Sequence, residues 1–240
     1  MDASATLPAQ LQETETCHCC VRFESPQPTL DIHARTWSVR CPCGNQTEEF
    51  DEITAAIAAW NLQNASDGDW ILTHSGQPVY PIDPSHSSIF IEDIAHALSH
   101  ICRFNGHVDR FYSVAQHSVL VALNVPREDA LSALLHDATE AYISDVTTPV
   151  KRNLKGYKEI EQRLWTVIAG RYQVPPALPS SVKHADLRAL ATERRDLMPA
   201  HAAEWTALEG IEPYEQPINP LPPTLAKTQW MDMYEDLTNG

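Results

Sequence analysis

The sequence predicts a mainly α protein, a helical bundle preceded by a small β-rich module that carries cysteines. Three observations lead there. Five of the six cysteines fall between Cys17 and Cys43, in two tight clusters. From about Ser88 to Leu208 apolar residues recur at helical spacing, and prolines or glycines mark the breaks. The polar, turn-forming run Asn64-Ala65-Ser66-Asp67-Gly68-Asp69 separates the two regions and reads as a joint. The expected organisation is a loose tail over 1–16, a module over 17–66 and a helical domain over 67–240 with a proline-rich C-terminal extension.

The totals bound what such a chain can do. Its 240 residues suffice for one full core plus a small module. Against 32 acidic residues stand 17 basic ones, a net charge of −15 that repels duplex nucleic acid, while a small anion remains acceptable wherever basic groups gather around a cation. No apolar run is long enough to span a bilayer, so no membrane role is expected. The N-terminus is acidic and lacks an apolar signal core, which makes the cytoplasm the expected compartment. Clustered cysteines in such a chain point to metal rather than disulfides.

In the first module, Cys17 and Cys20 form one cluster and Cys41 and Cys43 the other, on either side of strand-like segments, as four ligands of a structural zinc. The single residue between Cys41 and Cys43 is tighter than a usual knuckle, so Cys19, His18 or His33 is an alternative ligand. A short helix over Thr54–Trp60 should pack its Ile57 and Trp60 side on this ribbon. Zinc here staples a module too small for a core of its own. Beyond the joint, Trp70–Thr73 and Pro78–Ile82 read as short strands. Helices are expected over Ile89–Phe104, Val114–Leu123, Arg127–Tyr142, Tyr157–Tyr172, Val182–Leu197 and His201–Leu208. A proline-rich strap from Pro213 to Pro223 then leads to a last helix over Leu225–Leu237.

The stretch Leu134-Leu135-His136-Asp137-Ala138-Thr139-Glu140 carries the chemistry. At about 100° per residue, His136, Asp137 and Glu140 can face one space. An imidazole, a carboxylate and a second carboxylate one turn on are what a divalent cation and a proton acceptor require. His117 and Asp186 sit on other apolar helices beside faces that should pack inward. Two imidazoles and two carboxylates would hold one cation with positions left open for water and substrate; zinc, cobalt, manganese, iron and magnesium all remain candidates. Glu140 would manage the proton of the attacking water. Lys151, Arg152, Lys155 and Lys158 form a local basic run on an acidic chain, suited to an anionic group or to a solvated helix entrance. His96 and His100 read as packing groups, and Cys102 as a small buried hydrophobe.

Two family resemblances add to this reading. Trp37-x-Val39-x-Cys41-x-Cys43-Gly44, followed by Ala56-Ile57-x-x-Trp60-Asn61, resembles the Lar-like zinc ribbons. Nine acids and three arginines over residues 1–66 argue against a DNA-binding version of it. Cys102-Arg103-Phe104, Tyr112-Ser113-Val114-Ala115-Gln116-His117-Ser118, His136-Asp137-Ala138-Thr139-Glu140-Ala141-Tyr142-Ile143-Ser144-Asp145 and Thr148-Pro149-Val150-Lys151, with Asp186 downstream, resemble the HD superfamily of metal-dependent phosphohydrolases. The resemblance is to the branch of 5′-deoxynucleotidases and phage dATP triphosphohydrolases, and it covers most of residues 80–200. It implies metal ligands at His117, His136, Asp137 and Asp186, a catalytic carboxylate at Glu140, a sugar contact at Asp145, and substrate contacts at Arg103 and Phe104; Lys151, from the basic run, is a further candidate for substrate binding, there to meet a trailing polyphosphate. The 5′-deoxynucleotidases have Arg-Trp where this chain has Arg103-Phe104.

The expected activity is hydrolysis of a deoxynucleotide, foremost a triphosphohydrolase releasing deoxynucleoside and triphosphate from dATP. A 5′-deoxynucleotidase acting on monophosphates is the alternative, since the same groups serve both. From another class, the chain could be an inactive interaction protein docking through its ribbon. The partner expected is the small-molecule substrate, with neither duplex nucleic acid nor membrane, in a homo-oligomer that is cytoplasmic in a bacterium, or in the host if phage-encoded.

Overall fold

A computed structural model describes residues 27–31, 34, 36–40, 46–49, 56, 70–84, 89–203 and 205–239. The chain is mainly helical, with a small two-stranded sheet near the N-terminus. The described residues fall into two compact units, one before Trp70 and one from Trp70 onward.

In the first unit, β1 (Gln27–Asp31) pairs antiparallel with β2 (Thr36–Arg40), with Leu30 opposite Trp37. Thr47 returns to this hairpin: its N–H donates to Val39 O at 3.0 Å, and its hydroxyl accepts from Val39 N–H at 3.0 Å. Val39 and Ala56 are fully buried, and Ala56 is helical. The proposed zinc ligands Cys17, Cys20, Cys41 and Cys43, with their alternatives, the tail over 1–16 and the rest of the Thr54–Trp60 helix lie outside the described residues.

The second unit opens with two very short strands, β3 (Ile71–Leu72) and β4 (Pro78–Val79), and continues as helices. These are α1 (Ile91–His100), α2 (Val114–Ala122), α3 (Ala130–Leu135), α4 (Glu140–Ile143), α5 (Thr148–Lys151), α6 (Tyr157–Arg171), α7 (Ser180–Leu197) and α8 (Pro223–Thr238). Helix α2 is central and packs against α1, α3, α7 and α8. Its composition explains that place: Val114, Ala115, His117, Ser118, Val119, Val121 and Ala122 are all buried, so it is covered on every face. Ser113 caps it, its hydroxyl accepting from Gln116 N–H at 3.1 Å. Around it Leu134, Leu135, Leu164, Ile168 and Trp230 complete a contiguous core.

Four expected elements differ from those observed. The first helix stops at His100 because Cys102 leaves it to bridge Ser113, while Arg103 N–H donates to Tyr112 O at 2.9 Å. The helix expected over Arg127–Tyr142 is broken into a 3₁₀ turn (Arg127–Asp129), α3 and α4. The His136 ring bonds Ala133 O through Nδ1 at 2.7 Å, occupying the carbonyl a continuing helix would offer to Asp137, and the turn tightens through Ala138 N–H to Leu135 O and Glu140 N–H to Asp137 O. His201–Leu208 forms only a 3₁₀ turn at Thr206–Leu208, because Arg194 takes Ala203 O and His201 Nδ1 takes Ala203 N–H. Pro149, read as a terminator, instead sits in the first turn of α5, where its missing N–H costs nothing.

The proline-rich strap is pinned rather than loose. Gln116 on α2 donates to Asn219 O at 2.8 Å and accepts from Leu221 N–H at 2.9 Å, and Tyr214 and Ile218 are buried. His96 and His100 do pack: His74 stacks on His96 at 3.5 Å between ring centroids, and His96 on His100 at 4.2 Å.

Candidate metal centre

Helix α2 delivers His117 to the middle of the domain with no solvent exposure. The tightened turn after α3 delivers His136 and Asp137. Together these three residues offer ligand atoms that all lie within 4.8 Å of one another, so the group could hold a metal ion. His117 Nε2 is 3.6 Å from Asp137 Oδ2, and His136 Nε2 is 3.2 Å from the same oxygen. Asp186, on α7, falls outside that three-residue group but places Oδ1 3.1 Å from His117 Nε2. The four side chains grade in exposure: 0% for His117, 7% for His136, 19% for Asp137 and 40% for Asp186.

The hydrogen-bond arrangement fits a cation better than it fits a closed polar cluster. Both histidines are engaged through Nδ1, His117 with Glu193 Oε1 at 2.6 Å and His136 with Ala133 O at 2.7 Å. An Nδ1–H donor leaves the Nε2 lone pair free, and both Nε2 atoms are buried without any hydrogen-bond partner. Two unpartnered buried imidazole nitrogens aimed at a carboxylate would each carry a desolvation penalty of about 1–3 kcal/mol unless something binds them. A divalent ion suits that donor set.

The electrostatics point the same way. Burial and the Arg103 cation push the His117 pKa down, but the Glu193 and Asp186 carboxylates outweigh them and raise it to about 10. Burial opposes charge on His136 as well, and Asp137 overrides it. The Asp137 carboxyl is held well below its ordinary range, since His136, His117 and Arg103 outweigh its burial. Without a dication the site therefore collects protons in its place. A metal ion bound through His117 Nε2 would have to displace the proton that the neighbouring Glu193 and Asp186 carboxylates favour on that ring. The apparent affinity, measured by competition with a chelator, is expected to rise about tenfold per pH unit between about pH 6 and pH 8. A pH-independent affinity would contradict this ligand set.

Around the group lie the other expected residues. Glu140, first residue of α4, is 6% exposed, and its Oε2 has no partner. Burial, then Asp137 and Asp145, push its pKa well above the ordinary carboxyl value. Lys151 Nζ approaches Glu140 Oε1 at 4.0 Å but is bound more closely by Glu161, at 2.8 Å. Asp145 also titrates high, because burial outweighs the attraction of Arg103. Arg103 is buried, with one terminal nitrogen 3.8 Å from Asp137 Oδ2. Its guanidinium lies 5.2 Å from the centre of the half-buried Phe104 ring, which in turn meets Trp205 at 6.2 Å. Phe104 and Asn105 both adopt left-handed backbone angles, φ 54° and 51°, a strained pair that turns the chain away directly after Arg103.

Sequence reasoning missed Glu193. It is fully buried on α7, accepts from Arg103 Nε at 3.1 Å and from an Arg103 terminal nitrogen at 2.9 Å, and takes His117 Nδ1 on its other oxygen. Seven residues after Asp186, it lies two turns along the same face of α7, a spacing that could have flagged it.

The fold and site thus define a helical domain built around a histidine–carboxylate group that could hold a metal ion. No family model matches the chain. It is 46% identical over 170 residues to the uncharacterized protein YfdR of Escherichia coli strain K12, a match covering 70% of this chain and 96% of YfdR. It is also 40% identical over 126 residues to an uncharacterized protein of Rhodobacter capsulatus, covering 48% of this chain and 64% of that one. The chain belongs to the family of YfdR.

Proposed function

We propose that this protein is a metal-dependent phosphohydrolase of the HD type that acts on deoxynucleotides, foremost as a dATP triphosphohydrolase. One observation carries the reading: two buried imidazoles present unpartnered Nε2 atoms to Asp137, with Glu140 and Arg103 alongside. His117, His136 and Asp137, with Asp186 beside them, would hold zinc, cobalt, manganese, iron or magnesium. When bound, such an ion supplies Lewis-acid polarisation of a phosphoryl oxygen and water acidic enough to ionise near neutral pH.

The protein's own groups do the rest. Glu140 takes a proton from the water that adds to the sugar-proximal phosphorus. The bond from that phosphorus to O5′ breaks, and Glu140 returns the proton to the departing oxygen. Deoxynucleoside and triphosphate result. Arg103 holds the phosphate with donors set in a rigid fork, and Asp145 is available to a sugar hydroxyl. Phe104 gives the base an aromatic face.

The pairing of Lys151 with Glu161 favours a second reading, since that lysine is already engaged and a monophosphate asks less of the basic run. The chain would then be a 5′-deoxynucleotidase. Purified protein incubated with each of four dNTPs and four dNMPs, with several divalent cations, separates the two by product: triphosphate or inorganic phosphate. Release of neither from any substrate would leave the third reading, a protein that docks partners through a zinc ribbon.

A further inference from the structure

We propose that Glu193 is a positioning residue that serves two groups at once: it sets His117 as an Nε2 ligand and aims Arg103 at the phosphate. The inference rests on the reading that His117, His136 and Asp137 hold a metal ion, and it adds a residue that neither resemblance implies.

The argument starts from donors and acceptors. Arg103 has only N–H donors to offer, and Glu193 Oε2 receives two of them, at 3.1 and 2.9 Å. His117 must carry its proton on Nδ1 if Nε2 is to ligate, so it too arrives as a donor, at 2.6 Å from Oε1. Both partners donate. Only an acceptor with two equivalent oxygens satisfies both, and a carboxylate is the side chain that has them.

Burial makes the requirement strict. Glu193 has no solvent exposure, and besides Arg103 and His117 it faces the buried Tyr112 hydroxyl, so bulk solvent does not make good a missing partner. The geometry also divides the work: with Nε and one terminal nitrogen tied to Glu193, the other terminal nitrogen of Arg103 is left toward Asp137, at 3.8 Å. Helix α7 therefore supplies a carboxylate, Asp186, beside Nε2 of the same imidazole whose Nδ1 it grips with Glu193.

A neutral isostere has the right shape and the wrong polarity. In E193Q the amide oxygen can face Arg103 or His117, never both, and the NH₂ group then opposes a donor. With the oxygen on Arg103, the amide drives the His117 proton to Nε2 and removes the ligand atom. E193Q should keep its helical circular dichroism while its zinc affinity, read by chelator competition, falls about 10–100-fold. R103A/E193Q is the discriminating variant. Removing Arg103 frees the glutamine oxygen to accept from His117, so the double variant should bind zinc more tightly than E193Q and within a few-fold of R103A. A role in packing alone predicts no such rescue.

Should E193Q fail to fold, the parent protein labelled with ¹⁵N-histidine and loaded with zinc answers the same question. His117 should show a metal-bound Nε2 and a protonated Nδ1 with slowed proton exchange. Unchanged zinc affinity in E193Q, a double variant as weak as E193Q, or ligation of His117 through Nδ1 would each overturn the proposal. Zinc binding without hydrolysis of any deoxynucleotide would overturn the proposed activity and leave the role of Glu193 standing.

Discussion

Asp137→Ala is expected to abolish both tight metal binding and hydrolysis while leaving the fold in place. The residue places one oxygen 3.2 Å from His136 Nε2 and 3.6 Å from His117 Nε2, within reach of both candidate imidazole ligands. It is 19% exposed and lies outside the apolar core, so its loss opens no large cavity. The Lewis-acid contribution of an ion is worth several kcal/mol, and each 1.4 kcal/mol is tenfold in rate, so turnover should fall on the order of 1,000-fold or more. The measurement pairs metal content of the purified variant with release of phosphate or triphosphate. A variant that loses its metal and keeps its turnover would remove the reading of this group as a catalytic metal centre.

Glu140→Gln separates proton handling from ligation. The side chain is nearly isosteric and belongs to none of the ligand positions, so metal affinity should stay within a few-fold of the parent. Loss of a positioned general base typically costs about 100- to 10,000-fold in kcat. The pH profile adds a second readout with a definite sign. Burial, reinforced by Asp137 and Asp145, raises the pKa of this carboxyl, and it must be ionised to accept a proton. The parent's kcat should therefore climb with pH through the Glu140 pKa and level off above it, and the glutamine variant should lack that climb. An unaltered profile would assign the proton to another group.

Much of the site was legible because its chemistry is local. His136, Asp137 and Glu140 stand within five residues; the actual path breaks into tight turns, yet His136 and Asp137 still meet, with Glu140 close enough for Asp137 to raise its pKa. His117 was legible as a polar residue on a helix otherwise made of core residues. Arg103 was legible as a candidate substrate contact, but its engagement with Glu193, ninety residues away in sequence, was not. Glu193 was hidden by its company: Arg194, Arg195 and Asp196 follow it, and a run of four charges reads as a solvated face. Only Glu193 of that run is buried, because its neighbours Ala189, Thr192 and Leu197 turn the same side of the helix into the core.

Two of the helix boundaries that failed share a cause. At His136 and Ala203 a side chain claims a backbone partner that propensity assigns to the helix, and such claims depend on where other residues fall; Pro149 instead opens its helix in the first turn, where no N–H is required. The cysteine clusters raise no comparable comparison, since they lie outside the described residues.

The uneven accessibility of the four side chains gives the centre a floor and a mouth. His117 and His136 form the sealed floor, and the aspartates stand at the rim. An arriving polyphosphate would meet that negative rim on a chain already carrying fifteen excess negative charges. On the proposed reading, electrostatic repulsion sets the order of loading: cation first, to reverse the sign of the doorway, and nucleotide second.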